Sequence, residues 1–175
     1  QCCVSIERIY VHESVADAFT ASFVRRVDAL VQGSALDLST DMGSLTSAAQ
    51  LDRVRAHVED AVAKGATVLT GGKARPDLGP FFFEPTVLSG VTSEMSCFAD
   101  ETFGPVVAIH RFEAEADAIA AANASAFGLN ASIFSGSRRR ARAVAHHIDA
   151  GSVNINEGYR GSFGSVDAPM GGMKQ

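Results

Sequence analysis

The run Pro105-Val106-Val107-Ala108-Ile109 restricts the fold more than any other stretch of the chain. It is almost wholly apolar, and a strand of that kind is buried on both faces. Both faces of a sheet are covered only when helices pack on each side, as in parallel sheets built from strand–helix–strand units. The remaining sequence alternates accordingly. Glu7 to His12 is rich in Ile, Tyr and Val and predicts a strand. Ser14 is placed to cap a helix in which Phe19, Phe23, Val27 and Leu30 recur at helical spacing, with Gly33 as its stop. Ser47 followed three residues later by Gln50 has the pattern of a capping box. Behind it Leu51, Val54, Val58 and Val62 line one helical face, ended by Gly65. Ala66 to Thr70 predicts a short strand. Thr86-Val87-Leu88, just after Pro85, predicts an edge strand or a bend. Further helices are expected from about Ala114 to Ala122 and from Ser137 to about Ile148, with strands over Asn130 to Ser135 and Ser152 to Asn156. The fold class is therefore α/β, a mostly parallel sheet with helices on both faces.

Composition narrows the function. At 175 residues and 46% hydrophobic, the chain is long and apolar enough for one domain with a sizeable core. A net charge of −5 argues against a general affinity for nucleic acid or for an anionic membrane. No apolar stretch is long enough to span a bilayer, and no signal-peptide pattern opens the chain. Cys2, Cys3 and Cys97 are too few and wrongly spaced for a disulfide framework or a metal site. A reducing, cytoplasmic setting fits them.

Cys2 and Cys3 stand side by side, a spacing that disfavours a disulfide. As free thiols they are either small buried hydrophobes or, for one of them, a nucleophile. Glu101-Thr102-Phe103-Gly104-Pro105 leads into the buried strand. A carboxylate at a sheet edge suits the hydroxyls of a sugar; taken alone, a solvated glutamate beside a turn is the favoured reading. Arg138, Arg139, Arg140 and Arg142 open a helix, the wrong end for positive charge, and are expected to be solvated or paired with carboxylates. His146 and His147 are consecutive and make a poor metal pair. Pro169 to Lys174 lacks the strand and helix that a phosphate-binding glycine loop requires.

Five motifs taken in order carry more than any one alone. Gln1-x-Cys3, Glu101-x-Phe103-Gly104-Pro105, Asn123-x-x-x-Phe127-Gly128-Leu129, Ala150-Gly151-x-Val153-x-Ile155-Asn156 and Pro169-x-Gly171-Gly172-x-Lys174 have the order and spacing of the aldehyde dehydrogenase superfamily. The chain resembles the nucleophile-bearing catalytic domain of such an enzyme over essentially its whole length. Phe127 departs from the tyrosine common there.

The resemblance implies that Cys3 is the nucleophile and that Glu101 holds the nicotinamide-ribose hydroxyls of NAD or NADP, with Phe103 packing beside that end of the cofactor. It implies that Asn156 opens the loop shaping the substrate pocket. That loop is similar to the one in the succinate-semialdehyde dehydrogenase group, in which a serine matching Ser165 helps hold the far carboxylate. Arg160 suits a carboxylate in the same pocket, or is a solvated loop residue. The implied reaction is oxidation of a small aldehyde through a thiohemiacetal and a thioester. The alternatives are a member that passes the acyl group to coenzyme A or reduces an acyl phosphate, and a non-catalytic assembly domain. By the same resemblance residues 1–175 are a single domain of a longer, homo-oligomeric enzyme. Its cofactor-binding domain, general-base glutamate and oxyanion asparagine are expected before Gln1, and its assembly strand after Gln175. The chain alone is expected to be inactive.

Overall fold

The apolar run forms strand β4 (Val106–Phe112), an interior strand of a four-stranded sheet in the computed structural model, which describes residues 2–34, 38–159, 161, 164, 167 and 171–174. The sheet belongs to the first of two units, Gln1–Phe112; the second is Glu113–Gln175. Its other strands are β1 (Arg8–His12), β2 (Thr67–Thr70) and β3 (Thr86–Ser89), in the order β1-β4-β3-β2. β1 runs parallel to β4 with Arg8 opposite Ala108. β3 runs parallel to β4 with Thr86 opposite Val106. β2 is antiparallel to β3 and closes that edge. The sheet is thus mostly parallel, as expected. The expectation of an edge strand after Pro85 is corrected: β3 is interior. The proline does no harm because it precedes the strand, and the first N–H of β3, that of Thr86, reaches Pro105 O at 2.7 Å.

Side chains of the parallel strands alternate between two helices. Helix α2 (Ala48–Ala63) packs Val54, Val58 and Ala61 with Leu88, Val106 and Ala108. Helix α1 (Glu13–Asp28) brings Ala16, Phe23 and Val24 to Val11, Val87, Val107 and Ile109. Consecutive residues of β3 and β4 therefore fall into different cores, the physical content of helices on both faces. Val87 and Leu88 are both fully buried, and burial of each contributes roughly 1.5–3 kcal/mol.

Helix ends follow local chemistry, with some corrections. Ser47 caps α2, its side chain accepting from Gln50 N at 3.2 Å. The helix ends before Gly65, whose φ of +100° suits glycine. α1 is capped by His12 rather than Ser14: His12 Nδ1 accepts from Ser14 N at 3.2 Å, and Ser14 lies inside the helix. α1 also stops at Asp28, before Leu30 and Gly33, because Leu30 N turns back to Val27 O at 3.1 Å. A short helix α3 (Ser96–Ala99) has no counterpart in the sequence pattern.

The second unit comprises α4 (Glu115–Asn123), β5 (Asn130–Ile133), α5 (Arg138–Ala145) and β6 (Ser152–Ile155). β5 and β6 pair in parallel, Asn130 opposite Ser152, with α5 as their crossover. Ser137 caps α5 through Arg140 N at 3.3 Å, and α5 ends at Ala145 rather than near Ile148. Arg140 pairs with Glu115 at 2.6 Å, as a charged run with carboxylate partners should.

Candidate active site

The turn Glu101–Pro105 stands at the amino ends of the parallel strands, where β1, β3 and β4 all begin. Three side chains hold it. Glu7, just ahead of β1, accepts Thr102 N at 2.9 Å with Oε2 and Phe103 N at 2.8 Å with Oε1. Gln50 in α2 donates Nε2 to Thr102 O at 2.9 Å and to Phe103 O at 3.0 Å. Its side chain is thus turned to this turn rather than back to the cap that the sequence pattern suggested. His57, also in α2, pairs its Nδ1 with the buried Thr102 Oγ1 at 3.0 Å. Burial, reinforced by the charge of Arg53, lowers the pKa of His57 and favours the neutral ring.

Phe103 needs this grip. Its φ is +52°, a left-handed conformation that is uncommon for a bulky residue. Such strain costs on the order of 1–3 kcal/mol. Hydrogen bonds to a charged acceptor contribute roughly 1.5–3 kcal/mol each, enough to hold the turn. Gly104 follows because nothing larger fits: a Cβ there would lie 2.4 Å from Val54 Cγ2. Glu101 itself is half-buried, and its negative charge reaches Glu7. Among the described residues its carboxylate takes no hydrogen bond. A half-buried carboxylate beside an immobilised backbone fits an acceptor for vicinal hydroxyls.

The cysteines separate clearly. Cys97 is buried in the core of α2 and the sheet, and burial raises its pKa. Cys2 and Cys3 are free thiols exposed in this chain. Ser5 N donates to Cys2 O at 2.9 Å, giving the cysteines a tight turn. Cys3 precedes Glu7 by four residues, so its Cα lies within about 14 Å of that of Glu7. The sequence therefore ties the thiol to the residue that grips the Glu101 turn. Arg160 and Ser165, the expected carboxylate-binding pair, lie outside the described residues, as does Gln1. Among the described residues no group of three or more His, Cys, Asp or Glu is placed to hold a metal ion.

The motif residues of the second unit converge on a structural knot. Lys174 Nζ donates to Asn123 O at 2.7 Å and to Ser125 O at 3.0 Å, placing its charge at the carboxyl end of α4. Asn123 receives Asp149 N at 2.9 Å and donates to His147 O at 2.7 Å. Gly151 meets the last glycine motif so closely that a Cβ would lie 1.5 Å from Gly171 O. Asn156, with φ +58°, accepts Ser135 N at 2.7 Å and donates to Ser135 O at 2.9 Å, closing the ends of β5 and β6. Glu7 and His57 were invisible as site residues in the sequence, because their partners lie 95 and 45 positions away.

Comparison with known proteins bears on the family and the fold. Residues 1–175 match the aldehyde dehydrogenase family. A protein of Mycolicibacterium smegmatis named "Putative succinate-semialdehyde dehydrogenase" with NADP(+) as its stated cofactor is 55% identical over 99% of this chain and 34% of its own length. The crystal structure of succinate-semialdehyde dehydrogenase from Burkholderia pseudomallei superposes with a TM-score of 0.89 at 39% identity, over 99% of this chain and 35% of that one. Aldehyde dehydrogenase 21 from Physcomitrella patens, in complex with the reaction product succinate, gives 0.88 at 30% identity over 99% and 35% of the two chains. The chain spans about a third of the length of the curated relatives it matches.

Proposed function

The chain belongs to the aldehyde dehydrogenase family, and on that premise we propose that the full-length enzyme oxidises succinate semialdehyde to succinate with NAD or NADP, through a covalent intermediate on Cys3. The observation that carries this reading is the joining of an exposed thiol, through Glu7, to the clamped turn that bears Glu101. The substrate and cofactor are supported by the relatives' names and by the succinate bound in one of them.

In this reading the Cys3 thiolate forms a bond to the aldehyde carbon, and the carbonyl π pair moves to oxygen. The backbone N–H of Cys3 donates to that oxyanion. Glu101 holds the ribose hydroxyls at the nicotinamide end of the cofactor, and Phe103 packs beside it. The bound dinucleotide supplies the hydride acceptor. Loss of hydride from the thiohemiacetal carbon leaves a thioester on Cys3. Water then attacks the thioester as a general base of the full-length enzyme takes its proton, the carbon–sulfur bond breaks, and the acid leaves with the thiolate restored. Arg160 and Ser165 take the far carboxylate of the substrate. Residues 1–175 act as the nucleophile-bearing domain, and the 175-residue chain by itself gives no NADH or NADPH with this aldehyde.

The decisive measurement is intact mass of the full-length enzyme quenched during turnover. A succinyl adduct mapped to the Cys3 peptide, absent from Cys3→Ala, is expected, together with loss of aldehyde oxidation in that variant. Near-normal turnover by Cys3→Ala, with loss in Cys2→Ala instead, refutes the assignment. Steady cofactor reduction by the 175-residue chain above its own Cys3→Ala control refutes the claim that it is inactive alone.

A further inference from the structure

Resting on the roles given to Cys3 and Glu101 above, we propose that Glu7 is a positioning residue whose carboxylate locks the Thr102–Phe103 backbone and so sets where Glu101 and Phe103 meet the nicotinamide end of the cofactor, in step with the thiol four residues before it. The main chain of Glu7 already serves the sheet, its carbonyl accepting Ala108 N at 2.9 Å. The side chain is free for another task, and both its oxygens are spent on two consecutive peptide N–H groups, at 2.9 and 2.8 Å. Those are the peptides on either side of the Thr102 α-carbon, directly after Glu101 and leading into the left-handed Phe103. Bidentate capture of consecutive N–H groups fixes the direction of a turn and not merely its distance.

Gln50 and His57 hold the carbonyls and the hydroxyl of the same turn from α2. Glu7 alone among these three holds it from the segment that carries the cysteine. Stability is a poor explanation for the carboxylate. Burial raises the pKa of Glu7, and the two N–H bonds oppose that shift without cancelling it, while the nearby charge of Glu101 adds to it. A carboxylate with a raised folded-state pKa contributes most to folding when protonated, and that contribution is lost as pH rises through the raised value. Relative to its protonated form the ionised carboxylate is therefore the less stabilising one, while its two oxygens order the turn.

The test uses the full-length enzyme carrying Glu7→Gln or Glu7→Asp. Gln keeps the size but sets an NH2 group against one of the two peptide N–H groups; Asp keeps both acceptor oxygens. Four quantities are read: steady-state kinetics with the aldehyde and its 1-deuterio form, NAD(P)+ affinity by calorimetry, the rate of Cys3 alkylation by iodoacetamide without cofactor, and the melting temperature. For Glu7→Gln, kcat is expected to fall at least about tenfold, toward the roughly 10²-fold that a 1 Å misplacement costs. The deuterium isotope effect on kcat should grow and dinucleotide affinity weaken, with aldehyde KM and Cys3 alkylation within about twofold of wild type. Glu7→Asp should recover part of the loss. Wild-type kcat and isotope effect in folded Glu7→Gln, whatever its melting temperature, overturn the proposal. Should Glu7→Gln fail to fold, wild-type kcat, isotope effect and dinucleotide affinity in Glu7→Asp overturn it, and a lower kcat with a larger isotope effect and weaker dinucleotide affinity supports it. An active Cys3→Ala control points instead to failure of the underlying mechanism; an inactive one beside unaffected Glu7 variants sinks the role of Glu7 alone.

Discussion

Replacing Gly104 with alanine tests how the core and the candidate site are joined. The φ of Gly104 lies outside the left-handed region, so the backbone tolerates alanine and the penalty is purely steric. The added Cβ would sit 2.4 Å from Val54 Cγ2. Carbon atoms in contact prefer about 3.5–4.0 Å, so something must move by about 1 Å. Val54 cannot swing away, because it is fully buried among Val58, Leu88 and Val106. Overpacking of this kind costs roughly 1–3 kcal/mol. Val54→Ala alone removes two methyl groups, about 1.6 kcal/mol of transfer energy and a cavity term besides, for a total of roughly 2–3 kcal/mol. Independent effects would sum to about 3–6 kcal/mol. The double variant should instead resemble Val54→Ala alone, because the new Cβ occupies the space vacated. The coupling is then on the order of 1–3 kcal/mol in favour of the pair. Denaturation midpoints of the three variants of the full-length enzyme give the cycle, and calorimetry with NAD(P)+ reads the turn. Gly104→Ala should weaken dinucleotide affinity, and Val54→Ala should restore it. A Gly104→Ala variant within about 0.5 kcal/mol of wild type, or additive behaviour in the double variant, refutes the close approach of α2 to this turn.

Two further outcomes follow from the packing. Gly151→Ala should be among the most damaging single substitutions in the second unit, because a Cβ at 1.5 Å from a backbone oxygen forces the last glycine motif away; a melting temperature unchanged from wild type would contradict this. His110 is a group of the first unit whose pKa is displaced far from its ordinary value. Its pKa is lowered to about 4, by burial first and by the charge of Arg8 second, and its ring lies against Tyr10 and Phe98. A lowered histidine pKa means stability that is complete above about pH 6.5 and lost as pH falls toward 4. That loss amounts to at most about 3 kcal/mol before solvent screening reduces it. His110→Phe should flatten this part of the stability–pH curve, and an unaltered slope would remove His110 as its cause.

Local pattern made much of the fold legible. The apolar run of β4, the helical spacing of Val54 and Val58, the Ser47 cap and the Gly65 stop all act through neighbours within a few residues, so the chain states them directly. The same holds for the separation of strand from helix and for the parallel class of the sheet. Resemblance, rather than pattern, marked Cys3 and Glu101. Tertiary structure decided what sequence spacing cannot carry. Gln50 reads as half of a capping box, yet its amide serves a turn more than 50 residues away. Glu7 reads as a polar residue before a strand, yet it clamps Thr102 and Phe103 across 95 and 96 positions. Pro85 reads as an edge signal, yet the strand after it is interior, since a proline ahead of a strand removes no ladder bond. Hydrogen bonds and close approaches between distant segments depend on where the sheet brings its strand ends. Only the assembled sheet, with the amino ends of β1 and β4 side by side, sets Glu7 against the Glu101 turn and ties the thiol's segment to it.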